Sequence, residues 1–277
     1  MTLSERNILF RGGMVFAALS LILVTAGGYF TYSIFPHSIG EAAMRPEGIV
    51  QKLVESFAES SAYVPFWTII VAVAYSLISI ILIHYFFEKT QSPEILFIGF
   101  FVISLTFEFA RIVIPLRDVF PFPPVFTIVA SRVLIFGRYF GLFSLFAASV
   151  YAAGLDAQKQ QTFLIMLILA ALVIALNVPI DALVWDSTFT VKSSYRSMFS
   201  VIEAGILAIT LVSFLISAYT RGSKSYLFIA VGILLVFAGR NILIYSDTWL
   251  TPIPGLLSLA LGTWFVCSRL HSEYLWL

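Results

Sequence analysis

Four arginines, Arg111, Arg132, Arg138 and Arg240, and three acids, Glu108, Asp181 and Glu203, are the residues best suited to chemistry, because each interrupts a long apolar run. A guanidinium is always charged and presents a rigid fork of donors, so in such surroundings it suits recognition of a carboxylate or a phosphate. The acids would orient that fork. On insertion scales a charge at the centre of a membrane helix costs about 2.5 to 3.5 kcal/mol, so seven unpaired charges would forfeit on the order of 20 kcal/mol. They must therefore be paired with one another or wetted by a cavity.

Other chemistry is poorly represented. The sequence contains no G-x-S-x-G, H-E-x-x-H, P-loop or glycine-rich dinucleotide turn, so neither a cofactor nor a catalytic apparatus is expected and an enzyme is the least favoured class. The three histidines, His37, His84 and His271, are spread over both sides of the expected bundle, which argues against a metal site. All five lysines lie between the apolar runs, which excludes a retinal Schiff base inside a span. Cys267 reads as a small packing residue.

The elements that must position the charges follow from composition. Hydrophobic residues make up 60% of the 277 and charged residues only 11%, against roughly 25% charged in a soluble domain. Mean hydropathy is +0.98. A net charge of +1 supplies no basic field for nucleic acid. The chain reads as one all-α, polytopic transmembrane bundle over 1–277, in a plasma or inner membrane. Eight helices are predicted near 14–35, 65–87, 94–116, 124–151, 162–185, 197–219, 225–246 and 254–272. The positive-inside rule places both termini in the cytoplasm, with Arg6, Arg11, Lys89, Lys159, Arg221, Lys224 and Arg269 inside, and Arg45, Lys52, Arg117, Lys192 and Arg196 outside. In the long first connection, residues 47–59 carry Ile49, Val50, Leu53, Val54 and Phe57 on one helical face and Gln51, Lys52, Glu55 and Glu59 on the other, as an amphipathic helix on the outer surface would.

An internal repeat emerges on self-comparison. Arg111, Asp118, Phe120 and Pro123 at the end of the third helix recur in type and spacing as Arg240, Asp247, Trp249 and Pro252 after the seventh, and Leu96 to Ile98 recurs as Leu227 to Ile229. This suggests a parallel duplication of four-helix units, 14–154 and 162–277.

Depth sorts the charges. Counted from the outer helix ends at ~1.5 Å per residue, Glu108, Arg111, Arg132, Asp181, Glu203 and Arg240 share a layer roughly 6 to 12 Å below the outer edge. Within it Glu108 is expected to pair with Arg132 or Arg111, and Glu203 or Asp181 with Arg240. Arg138 lies deeper, with no acid at its own depth. Pro179 marks a local break in the fifth helix whose freed carbonyl Asn177 would satisfy, and Asn241 stands beside Arg240. These nine residues form the expected site, and the leading reading is a ligand-binding or sensory module among membrane lipids that takes an anionic or polar small molecule and signals through a protein partner. A small carrier for an anionic or zwitterionic solute is the second reading, and a purely structural charge layer is the third.

Overall fold

The computed structural model describes residues 2–34, 61, 63–90, 92–193 and 196–275, so the expected amphipathic helix at 47–59 lies outside the described residues. Helix α1 spans Leu3–Ile34, α2 Tyr63–Phe87 and α3 Pro93–Ser104. The third span continues through a 3-10 segment, Leu105–Ile112, into α4, Val113–Val119. Then come α5 (Pro124–Ala152), α6 (Gln160–Asn177), a hairpin of β1 (Ile180–Trp185) and β2 (Val191–Ser193), α7 (Arg196–Arg221), α8 (Ser225–Ile244) and α9 (Pro252–Leu275). Eight helical stretches among the described residues are long and apolar enough to cross a membrane. The protein is a multi-pass integral membrane helix bundle.

Local signals set several boundaries. The Ser92 hydroxyl accepts the Ile95 amide at 3.3 Å with Pro93 in the first turn of α3, and Pro124 occupies the first turn of α5. The fifth span stops earlier than predicted. Its α-helix ends at Asn177, where Val178 turns extended ahead of Pro179. Residues 180–185, predicted to finish a helix, instead form an antiparallel strand pairing Ile180 with Ser193 and Trp185 with Val191. An apolar, β-branched segment has the hydropathy of a span, and only its length and the proline distinguish the two.

Arg6 donates to the carbonyls of Phe87, Glu88 and Thr90 at the end of α2, and Ser223 reaches Glu273. These contacts gather both described termini and the 88–92 and 222–225 turns at one end of the bundle. The hairpin occupies the opposite end, where the Ser61 amide donates to the Asp247 carbonyl and Phe66 packs edge-on against Phe189.

The third span and α5 form the most buried part, around Phe97, Phe101, Leu105, Tyr139 and Leu145. Helices α8 and α9 touch through their backbones. A Cβ on Gly239 would lie 2.5 Å from the Leu259 nitrogen and 2.7 Å from the Gly255 carbonyl, and one on Gly262 would lie 2.7 Å from the Gly232 carbonyl. The glycines thus interlock at a seven-residue spacing on both helices, as small residues do where membrane helices pack closely. Helix α5 packs on α7, and α9 packs on α2. The expected repeat would map these two contacts onto each other, fourth span on sixth and eighth on second, whereas α1 packs on α2 and α6 on α5, so the first and fifth spans are placed differently.

Candidate functional site

The charges converge on the 3-10 segment. Glu108 is 2% exposed and Arg111 1% exposed, and Arg240 is buried to a similar degree. Glu108 accepts from Arg138 through both oxygens, Nε to Oε1 at 2.9 Å and Nη2 to Oε2 at 3.1 Å, and Arg111 Nη1 approaches Oε2 at 3.4 Å. One carboxylate therefore sits between two guanidiniums, the nearer in bidentate geometry. Arg240 donates through Nη2 to the Arg138 carbonyl at 3.2 Å, and its field overlaps those of Glu203, Arg138 and Glu108.

This arrangement corrects one expectation and narrows another. Arg138 does meet an acid at its own depth, and of the two partners expected for Glu108, Arg111 is found and Arg132 is not. Depth misled chiefly because the third span runs to Val119, three residues past its predicted end at 116, and to a smaller extent because one rise per residue was applied throughout. From Val119 back to Glu108 the chain passes through half of the 3-10 segment, at about 2.0 Å per residue instead of 1.5, so Glu108 lies about 19 Å below the hairpin end. Arg138, counted from Pro124, lies about 21 Å below the same end. The match is geometric, and Gly137 allows it, since a Cβ there would strike the Phe107 side chain on the facing segment.

Arg132 stands apart. Its Nη1 donates to the carbonyls of Ala175 (3.1 Å) and Leu176, the free acceptors at the end of α6. Arg132→Ala should lower unfolding free energy by about 1 kcal/mol in a denaturant titration, the value of a typical capping hydrogen bond, and leave any ligand response at the wild-type level. Asn177 returns a hydrogen bond to the Val173 carbonyl at 2.8 Å within its own helix. Asn241 is half-buried beside Arg240 and does not line the cavity described below. The backbone of Asp181 lies in β1, while its side chain is outside the described residues.

A cavity of about 300 Å³ lies against this cluster, between α5, the end of α6, the hairpin, α7 and the end of α8. Arg138, Tyr139, Glu203, Asp186 and Tyr245 supply its polar wall, and Leu134, Ile135, Val178 and Phe199 much of the apolar one. Arg138 thus serves two surfaces, with Glu108 holding it from behind. Tyr139, buried at 3% exposure, lines the cavity, and its hydroxyl has no hydrogen-bond partner among the described residues; neither has Arg240 Nη1. A buried donor left unmade costs about 1 to 3 kcal/mol.

The hairpin covers the cavity at its end of the bundle. Arg111 donates through Nε (2.9 Å) and Nη2 to the Thr188 carbonyl, and so clamps the tip between the strands to the charge cluster. Phe189 follows at φ 54, a left-handed conformation unusual for an aromatic residue, with its ring 4.9 Å from that of Phe66. Arg111→Lys should release this clamp, because one ammonium cannot reproduce a fork shared between Thr188 and Glu108. The expected loss is about 1.5 to 3 kcal/mol, with faster amide exchange at Asp186 and Phe189, which close the turn.

Sequence reasoning missed Tyr139, Tyr245, Asp186 and the Thr188 carbonyl as parts of one site. A usable signal existed in the Gly-Arg pairs at 137–138 and 239–240. In each, a glycine permits a close helix approach beside the next arginine, which is buried at 240 and half-buried at 138. No family model matches the chain, and no curated protein matches it.

Proposed function

We propose that the protein is a membrane-embedded binding module for a small polar ligand carrying an anionic group, held in the cavity beside Arg138. The observation that carries this reading is the Tyr139 hydroxyl, buried, lining the cavity and without a partner. A purely structural charge layer would close on itself, as Glu108 does with Arg138 and Arg111. The Tyr139 hydroxyl instead remains for a group supplied from outside. An intramembrane ionisable cluster beside a cavity is by default a functional site.

Binding is favoured over transport by what lies beneath the cluster. Toward the other end of the bundle, Phe97, Phe100, Phe101, Phe140 and Leu145 fill the interior of the third span and α5, and the buried Ser104, Ser144 and Ser149 there are tied to carbonyls of their own spans, so among the described residues a carrier finds no continuous polar path. Output through a protein partner remains part of the proposal, as does the repeat as its evolutionary origin, which the matched packing of α5 on α7 and α9 on α2 supports.

The test is thermal unfolding of the purified protein against soluble carboxylates, phosphates and lipids with charged headgroups. At least one anionic compound should raise the midpoint in the wild type and have a smaller effect on Tyr139→Phe. A wild-type midpoint that none of them moves would overturn the reading.

A further inference from the structure

The cavity walls are not uniform in charge. Arg138 is held from behind by Glu108, with Arg111 and Arg240 beyond it, whereas Asp186 belongs to the hairpin and Glu203 to the first two turns of α7, its charge within reach of Arg240 and Arg138. Along the bundle Glu203 is one to two turns below the start of α7, about 10 Å, while Arg138 is about 21 Å below the start of α5. A ligand would therefore meet acids near the hairpin and guanidiniums further in. Asp186 also holds the Ser187 amide at 2.8 Å in the turn, which leaves Glu203 as the principal acid of this pair.

Among the described residues the walls are also incomplete on one side. Helices α6 and α7 are consecutive in the chain, yet each packs chiefly on α5 and they form no paired interface. Helix α6 buries only Leu167, Ala171 and Ala175, one stripe at four-residue spacing. Helix α7 buries Thr210, Phe214 and Ser217 but nothing between Met198 and Ile209. Its hairpin half thus stands away from α5, and the cavity occupies that space. Around the gap, Leu172, Val173 and Leu176 of α6 and Met198, Val201 and Ile202 of α7 are exposed, as lipid-facing residues are. The hairpin lies across the cavity at its end of the bundle, and the side between α6 and α7 faces the hydrocarbon.

We infer that the cavity takes the zwitterionic head of an amphiphile that enters between α6 and α7, with its oxyanion at Tyr139 and Arg138 and its ammonium at Glu203. This rests on the binding reading above and names the ligand class. Size agrees: about 300 Å³ is at the lower limit of small-molecule sites, enough for a head but not for its acyl chains, which would remain in the gap. In a bilayer leaflet the phosphate of a zwitterionic phospholipid lies deeper than its ammonium, the same order as the basic and acidic walls.

The test uses the full chain in nanodiscs of an uncharged maltoside-headed lipid, titrated with dioctanoyl phosphatidylethanolamine, its soluble head glycerophosphoethanolamine, dioctanoyl phosphatidic acid or dioctanoylglycerol, with the unfolding midpoint as readout. Phosphatidylethanolamine should bind at least tenfold more tightly than the soluble head, and at least tenfold more tightly to wild type than to Glu203→Gln. Ser200→Trp, which fills the cavity wall on α7, should abolish the response, and Glu203→Gln carries the test if that variant does not fold. Equal affinity for the tailed and soluble heads would overturn lateral entry and leave the binding reading intact. A response to phosphatidic acid that Glu203→Gln leaves unchanged, with none to phosphatidylethanolamine, would overturn the zwitterion and likewise leave the anion site. Dioctanoylglycerol acting as strongly as either would overturn the inference and the anion site together, whereas no response to any of the four would overturn the inference and leave the binding reading to the soluble carboxylates and phosphates.

Discussion

Glu108→Gln is expected to cost about 3 to 5 kcal/mol of unfolding free energy, the largest effect of any single substitution in the cluster. Removing one partner of a buried ion pair leaves its counter-charge uncompensated, and here two guanidiniums share one carboxylate. Arg111 is only 1% exposed. The amide of Gln could still accept hydrogen bonds, so the loss measures charge more than shape. Reversible unfolding in mixed micelles would read it directly. A loss below about 1 kcal/mol, the level of a solvent-screened surface pair, would show that water reaches the cluster and that Glu108 does not hold Arg138 in place.

Gly239→Leu should be nearly as damaging, for a different reason. A Cβ at this position would meet backbone atoms of Leu259 and Gly255 at 2.5 and 2.7 Å, and backbone cannot move aside as a flexible side chain can. Overpacking typically costs about 1 to 3 kcal/mol, and the upper end is expected because α8 and α9 must separate along their length. The separation would also displace Arg240, the next residue, from the Arg138 carbonyl. Gly205→Leu is the matched control: nothing lies within 4 Å of a Cβ there, so it should unfold as the wild type does. If the two variants behaved alike, the close α8–α9 contact would not be what positions Arg240.

The eight spans were legible because each is an apolar run of bilayer length, and hydropathy needs no tertiary information. The convergence of charges was legible only in part. Arg111 and Glu108 stand three residues apart and meet, but the bidentate partner of Glu108 is Arg138, because the third span runs on to Val119 and through a 3-10 stretch, which puts Glu108 deeper than its predicted helix end implied. Nothing in Leu-Thr-Phe-Glu-Phe-Ala-Arg-Ile signals a 3-10 stretch, since it contains neither glycine nor proline and its extension comes from packing in the bundle. Arg132 reads as equivalent to the other arginines in sequence, yet it faces the end of α6 because that helix stops at Asn177. Pro179 signalled the stop, and the apolar residues beyond it obscured the hairpin. Tyr139 could not have been singled out among so many buried aromatics. Its importance comes from an unmade hydrogen bond, which only three-dimensional geometry exposes.

The account stands or falls on whether the Tyr139 hydroxyl is a ligand contact. The decisive measurement is the affinity of Tyr139→Phe, relative to wild type, for whichever anionic compound stabilises the protein best, with the stability of the unliganded variant measured alongside. Because the hydroxyl has no partner among the described residues, its removal should leave the unliganded stability unchanged or slightly raised. Loss of one hydrogen bond to a charged group, about 1.5 kcal/mol, should weaken binding roughly tenfold. An affinity equal to that of the wild type, or a loss of stability without ligand, would contradict the assignment and make the cavity a packing feature.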